Sequence, residues 1–377
     1  MRLVRCELRI VEIPMRVSVE HALAKRKLAR NVLLAAHDET GLVGWGECCP
    51  RGYVTGESVE SVEAALADEL VPRFAGRSFK DMGELVEALS AELPGLPRNR
   101  HAAFCALELA LLDLAGKRFQ MSAGEVLGPV LRPRARYSAV IAASSPLKAG
   151  VLSLVSRLFG ASEIKVKTLA ELERNQALLR VVRKLAGRGA ALRIDANAAW
   201  EAPEAIRQLG LLRSFDLQGC EQPVPGEDFA GMAAVTAAGL VPVVADESLC
   251  SHADGERLVA ERGCDVFNLR VSKNGGLLNT ARLYRLAMAA GLRCQLGAQV
   301  GETGLLSAAG RHVATRLADI LWCEGSYGWI LLRPEIVTPD ITVGRGGWAP
   351  ALTAPGLGVT PEATRLERFT TARRALG

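Results

Sequence analysis

The chain has 377 residues, 49% of them hydrophobic, 23% charged and 5% aromatic, with a formal net charge of +5. That length suits about two domains, or one large α/β unit with an appendage. The charge is modest and unclustered, no basic stripe with interleaved aromatics stands out, and no apolar run reaches about 18 residues, so neither nucleic acid nor a membrane is an expected partner.

In chain order, "MRLVRCELRIVEIP" interrupts its apolar positions with Arg5, Glu7 and Arg9, a strand rhythm rather than a signal peptide. "ARNVLLAAHDETGLVGWGECC" reads as two strands joined by a turn at "DETG". "SVESVEAALADELVPRF" and "HAAFCALELALLDLAGKRF" read as helices. Residues 1–125 are thus expected to form an α+β capping domain. The nine cysteines are odd in number and hold no CxxC pair, and Cys48 and Cys49 are adjacent, which is poor geometry for a bridge. A reduced, cytoplasmic protein is expected.

From about residue 136, short β-rich runs such as "EIKVKT", "ALRIDAN", "VPVVADES" and "DVFNLRVSK" alternate with helical stretches such as "ELERNQALLRVVRKLAG". Eight strands separated by seven helices point to a parallel α/β barrel over 126–330. An open doubly wound sheet is the alternative, but no G-x-G-x-x-G follows its first strand. The turn-rich tail, 331–377, is expected to fold back on the first domain as a strap.

Charged residues recur at the strand ends: Lys165 and Lys167, then Asp195 and Asn197, Glu221, Asp246 and Lys273. From Lys167 to Lys273 the steps between charged residues are 28, 26, 25 and 27 residues, each about one βα unit of a barrel near 250 residues long. Active sites of such barrels lie at the C-terminal ends of the strands. In one reading the acids and lysines are structural ion pairs. In the other, three carboxylates bind a hard divalent cation and the lysines act on its substrate. Carboxylates without nearby His or Cys favour Mg²⁺, with Mn²⁺ as the alternative, over zinc.

The series "KVK", "DAN", "EQP", "DES" and "SKNGG", in that order along a barrel, resembles the enolase superfamily. Within it the match is to the muconate-lactonizing-enzyme-like subgroup of the mandelate racemase/muconate lactonizing enzyme family. The resemblance covers nearly the whole chain and implies a modified TIM barrel, (β/α)7β, with a capping domain, in a homo-oligomer. It implies Asp195, Glu221 and Asp246 as metal ligands, Lys167 and Lys273 as the acid/base pair, and Lys165 beside the substrate carboxylate. Asn197 and Glu247 are expected to support this set, Glu247 by a hydrogen bond to Lys273. Glu302 in "QVGETG" is expected either to touch substrate or to start a helix. Segments 17–31 and 49–58 occupy the places of the family's specificity loops, where Arg51 and Tyr53 are expected to reach the far end of a small carboxylate substrate.

The implied chemistry is Mg²⁺-dependent removal of the proton next to a carboxylate, giving a metal-stabilised enediolate. A lysine is protonated at neutral pH, so a lysine base needs burial beside other cations. An isomerase is expected, either a cycloisomerase or an N-acylamino acid racemase or epimerase, with a dehydratase of the o-succinylbenzoate synthase type as alternative. The family's dipeptide epimerases carry Asp-x-Asp on the eighth strand to hold an amino group. Here that region reads "LWCEGSYG", with Glu324 as its one acid, which disfavours a free-amine dipeptide. A Schiff-base barrel would not need three carboxylates on successive strands, and a non-catalytic binding protein would not need all five motifs.

Overall fold

The computed structural model describes the backbone of residues 1–21 and 24–376, and the side chains of 1–16 and 27–376. Two long strands, β1 (Leu3–His21) and β2 (Ala24–Asp38), pair antiparallel, and β3 (Val43–Cys48) extends them. The turn between β2 and β3 is the expected one at "DETG". Asp38 Oδ1 accepts from Thr40 N (2.9 Å), Thr40 Oγ1 (2.7 Å) and Leu42 N (3.0 Å). Gly41 supplies the left-handed residue, φ +83°.

Three helices follow: α1 (Val59–Ala64), α2 (Met82–Glu92) and α3 (His101–Phe119). Helix α3 is buried from His101 to Gly116, as suits a helix apolar on nearly every side. β3 lies directly on it because Gly44 and Gly46 lack side chains. A Cβ there would stand 2.3 Å from Ala110 O and 2.0 Å from Ala106 O.

After the short β4 (Arg134–Arg136) come eight parallel strands in sequential order: β5 (Ala139–Ile141), β6 (Glu163–Lys167), β7 (Ala191–Asp195), β8 (Leu217–Glu221), β9 (Val243–Ala245), β10 (Val266–Leu269), β11 (Arg293–Leu296) and β12 (Ile320–Cys323). Between them run α4 (Pro146–Phe159), α5 (Leu172–Ala186), α6 (Ala202–Leu212), α7 (Phe229–Ala237), α8 (His252–Ala260), α9 (Leu277–Ala289) and α10 (Gly304–Arg316). This is the expected (β/α)7β arrangement. A backbone hydrogen bond from Ser138 N to Cys323 O, 2.8 Å, joins the two ends of the curled sheet. On β6, Ile164 and Val166 are buried on one face, leaving Lys165 and Lys167 to share the other.

The remaining chain returns across both parts. β13 (Val337–Thr338) pairs with β15 (Thr360–Pro361), β14 (Trp348–Pro350) with β4, and β16 (Thr370–Leu376) with β1. Among the described residues no helix is long and apolar enough to cross a membrane.

Two buried carboxylates join the N-terminal elements to the barrel. Glu47 of β3 accepts from Asn31 Nδ2 (2.7 Å), Thr303 N (2.9 Å), Thr303 Oγ1 (2.7 Å) and Leu306 N (3.0 Å), at the start of α10. Glu108 of α3 accepts from Leu277 N (2.5 Å) and Leu278 N (3.1 Å), the first residues of α9. Each satisfies amides that a helix start leaves unpaired. Burial nonetheless pushes Glu108 up to about 8 and Glu47 to about 7.

The Glu108 shift has a measurable sign. Below its ordinary value of 4.5 the carboxyl is protonated in both folded and unfolded chains. Between there and about 8 only the unfolded chain has released the proton, so stability falls as pH rises, with a limiting slope of about 1.4 kcal/mol per pH unit. Glu108→Gln is expected to remove that share of the slope in urea unfolding curves recorded from pH 5 to 8. Parallel curves for the variant and the wild type would show that Glu108 does not titrate there.

Candidate active site

The strand ends gather the charged residues into one buried network. Asp195 and Glu221 close β7 and β8 and are register partners, and Lys167 is the partner of Asp195 on the other side. Asp246 follows β9 directly, and Lys273 lies beyond β10. Lys167 Nζ donates to Asp195 Oδ2 (2.9 Å) and to Asn197 Oδ1 (2.7 Å). Lys165 Nζ donates to Glu221 Oε1 (3.1 Å) and lies 3.4 Å from Asp195 Oδ2 and 2.6 Å from Glu324 Oε2. Lys273 Nζ donates to Asp246 Oδ1 (2.8 Å), Asp246 O (2.7 Å) and Asn268 O (3.1 Å).

Asn197 reaches Lys167 from a left-handed backbone, φ +46°, a conformation common at functional sites. Arg270 adds a fourth cation: its Nη2 bridges Asp246 Oδ2 and Glu221 Oε1. Glu221 also accepts from Asn268 Nδ2 (3.2 Å) and Gln295 Nε2 (2.7 Å). Gln222 fixes the next turn, its Oε1 accepting from Asp246 N (2.9 Å) and Ser248 N (3.1 Å).

Burial alone would raise all three carboxyls, and their partners separate them. Lys167 and Lys165 hold Asp195 well below the usual carboxylate range. Arg270 and Lys273 lower Asp246. Glu221 is pushed up to about 7, because burial and the carboxylates of Asp195, Glu324 and Asp246 outweigh the pull of Lys165. Burial would strip Lys165 of its proton, but Glu221, Glu324 and Asp195 overcome it and hold the ammonium firmly charged.

The donor chemistry fits a hard divalent cation: three buried carboxylates on neighbouring strands, each already facing a positive charge. Among the described residues no three His, Cys, Asp or Glu side chains stand close enough to share one ion. Lys165 and Arg270 are interposed between the carboxylates. An ion shared by the three would have to take the place of those ammonium and guanidinium contacts.

Other expected residues are spread more widely. The hydrogen bond expected between Glu247 and Lys273 does not form. Lys273 is taken by Asp246 and the Asn268 carbonyl, and Glu247 Oε2 has no partner. Burial, with Asp246 beside it, pushes the Glu247 carboxyl up to about 8. Glu302 lines a small polar hollow with Tyr137, Ser307, Glu324 and Ser326, and burial raises it to about 8. Arg51 is buried and donates to Pro50 O (2.7 Å) and Val300 O (2.8 Å), tying segment 49–58 to the loop before α10. Tyr53 lies nearby at the surface, 37% exposed. Of segment 17–31, residues 22 and 23 and the side chains of 17–26 lie outside the described residues. Glu324 is engaged on both oxygens, by Lys165 and by Arg193 Nη2 (2.7 Å).

Residues 151–365 match the enolase C-terminal domain-like family, and residues 5–128 match the mandelate racemase/muconate lactonizing enzyme N-terminal domain. The chain belongs to the enolase superfamily. Within the superfamily it sits in the muconate-lactonizing-enzyme-like subgroup. An L-Ala-D/L-Glu epimerase of Clostridium acetobutylicum is 28% identical over 356 residues, covering 93% of this chain and 96% of the relative. An N-succinyl-L-Arg/Lys racemase of Bacillus cereus is 25% identical over 317 residues, 83% of this chain and 84% of the relative. Its solved structure superposes over both whole chains with a TM-score of 0.93 at 22% identity, which shows the fold. The dipeptide epimerase of Cytophaga hutchinsonii, solved with Mg and D-Ala-L-Val, superposes over both whole chains with a TM-score of 0.89 at 26% identity. Muconate-type cycloisomerases are relatives too. An enolase-superfamily isomerase is the reading these relatives fit.

Proposed function

We propose that the chain is a racemase or epimerase of an N-acylated amino acid, working by proton transfer at the carbon beside the carboxylate. The observation that carries this reading is the placing of Lys167 and Lys273. Three strand ends bearing Asp195, Glu221 and Asp246 separate them, and each ammonium is held by an acid of that set. One lysine, in its neutral form, takes the α-proton from one face and the other, as the ammonium, delivers a proton to the opposite face, so the centre inverts with no net change of atoms. Lys165 stays charged and supplies a fixed positive group where the carboxylate gathers charge.

Asp195, Glu221 and Asp246 would hold Mg²⁺, with Mn²⁺ as the alternative occupant. Bound there, the ion would meet the negative charge that develops on the substrate carboxylate as the α-proton leaves.

Glu324 supports an acylated nitrogen over a free ammonium, since both its oxygens are already bound by Lys165 and Arg193. The epimerases among the relatives make dipeptides the second class to test.

The deciding experiment offers N-succinyl and N-acetyl amino acids, dipeptides, muconates and succinylbenzoate precursors with Mg²⁺ in D₂O, read by NMR and chiral chromatography. The expected result is α-deuteration with racemisation of the N-acyl compounds. Turnover of only the muconates or the succinylbenzoate precursors would overturn the reading. Lys165→Ala is expected to slow exchange of both enantiomers together by about 10²–10³. Loss for one enantiomer alone would make Lys165 a base instead.

A further inference from the structure

An outer helix of a barrel normally turns its large apolar side chains inward. Helix α4 does so only in part. Its fully buried residues are Ala149, Gly150 and Ser153, with Leu152 and Phe159 partly buried against the core. Its outer face is Leu147, Val151, Leu154, Val155 and Leu158, exposed to 81%, 57%, 48%, 57% and 71%. Contiguous apolar surface of this kind marks a contact that the single chain does not make. Leu147, Val151, Leu154 and Leu158 are spaced four, three and four residues apart, the heptad rhythm by which one helix lies along another.

The flanks say which helix. α5 runs beside α4 on the side of Gly150, where an added Cβ would meet Val181 Cγ1 and Leu185 Cδ1. Along that flank the two ends differ in charge. Glu173 lines a surface hollow with Ser144 and Pro146 at the start of α4, and Arg174, which lines it too, is held by Glu171 (3.4 Å) and Ser144 O (3.3 Å). Arg157 lies at the other end, donating to Leu185 O at 3.1 Å. Lys148 stands on the opposite flank, by the 100° step of the helix.

We propose that α4 is the contact helix of a homodimer, packed antiparallel against α4 of a second copy about a two-fold axis. The axis passes level with residues 152 and 153. It sets Leu147 against the partner's Leu158 and Val151 against the partner's Leu154. On the α5 flank it sets Glu173 against the partner's Arg157, twice over. The surface is thus its own complement in apolar spacing and in charge, as an isologous contact requires. A membrane or an unrelated protein would not call for that internal match.

Sedimentation velocity tests the assignment. The wild-type chain is expected to sediment as a dimer, or a multiple of one, at micromolar concentration. Leu154→Glu is expected to halve the mass with little change in thermal midpoint, because Leu154 is half exposed. Arg157→Glu and Glu173→Arg are each expected to weaken association about tenfold, and the double variant to restore it. That restoration decides the matter even if Leu154→Glu folds poorly. A monomeric wild type, an unchanged mass for Leu154→Glu, or a double variant as weak as the singles would overturn the proposal. So would a monomer that floats with anionic lipid vesicles.

Discussion

Lys273→Ala is expected to end net racemisation of an N-acyl amino acid while one enantiomer still exchanges its α-proton with D₂O. Lys167→Ala is expected to leave the other enantiomer exchanging. The reason is the separation of the two ammonium groups, one bound to Asp195 and Asn197, the other to Asp246 and the Asn268 carbonyl. Neither shares an acceptor with the other, so removing one leaves the other's setting in place. A positioned acid or base contributes about 10²–10⁴ to rate, so any residual racemisation is expected at least that factor below the wild type in each variant. ¹H NMR of each pure enantiomer in D₂O reads the two half-reactions separately. Loss of exchange for both enantiomers in either single variant would rule out a two-base arrangement, provided circular dichroism shows the variant folded.

Removing a carboxylate should act on the ion rather than on one face. Asp195→Asn, Glu221→Gln and Asp246→Asn are each expected to abolish Mg²⁺ binding in titration calorimetry. The ion would bind only the folded chain, so it is expected to raise the wild-type melting temperature. The stabilisation is about 2.7 kcal/mol at a hundredfold excess over the dissociation constant. The three variants should lose that rise. Their apo stabilities are expected to differ among themselves. Asp246→Asn leaves the buried Lys273 and the partly buried Arg270 short of a negative partner, and breaking a buried pair costs about 3–5 kcal/mol. Glu221→Gln also takes a carboxylate from Lys165 and Arg270, but burial already favours the neutral form of Glu221, so its cost is expected to be the smaller. Undiminished Mg²⁺ affinity in all three variants would sink the ligand assignment.

How much of this is legible in the sequence depends on whether the signal is local. Alternation in "EIKVKT" is enough to set Lys165 and Lys167 on one face, because the period of two is a property of the strand itself. The spacing of 25 to 28 residues is enough to align Asp195, Glu221 and Asp246 at strand ends, because βα units repeat, whereas Lys273, expected there too, stands four residues past β10. Arg270 is not legible this way. It lies just past β10, and its partners Asp246 and Glu221 come from two other strands. Asn268 and Gln295 are lone amides inside "VFNL" and "RCQL", and both turn out to hold Glu221. A polar residue in an otherwise buried strand is the signal that would have found them. The expected tie from Glu247 to Lys273 fails because the neighbour in sequence, Asp246, takes the ammonium with both its side chain and its carbonyl.

Glu47 and Glu108 make the N-terminal elements something other than a detachable lid. Each carries a buried carboxyl group to amides that open a barrel helix, and each of those helices follows a loop of the pocket: α9 after Lys273, α10 after Glu302. A hybrid built by grafting these elements from a relative would succeed or fail on two acids outside the substrate-facing loops, Glu47 just before segment 49–58 and Glu108 within α3. Without them, the starts of α9 and α10 lose partners at the points from which the pocket loops are hung. Interchange of specificity among such proteins is thereby limited to pieces smaller than the whole cap, because the cap holds part of the barrel in shape.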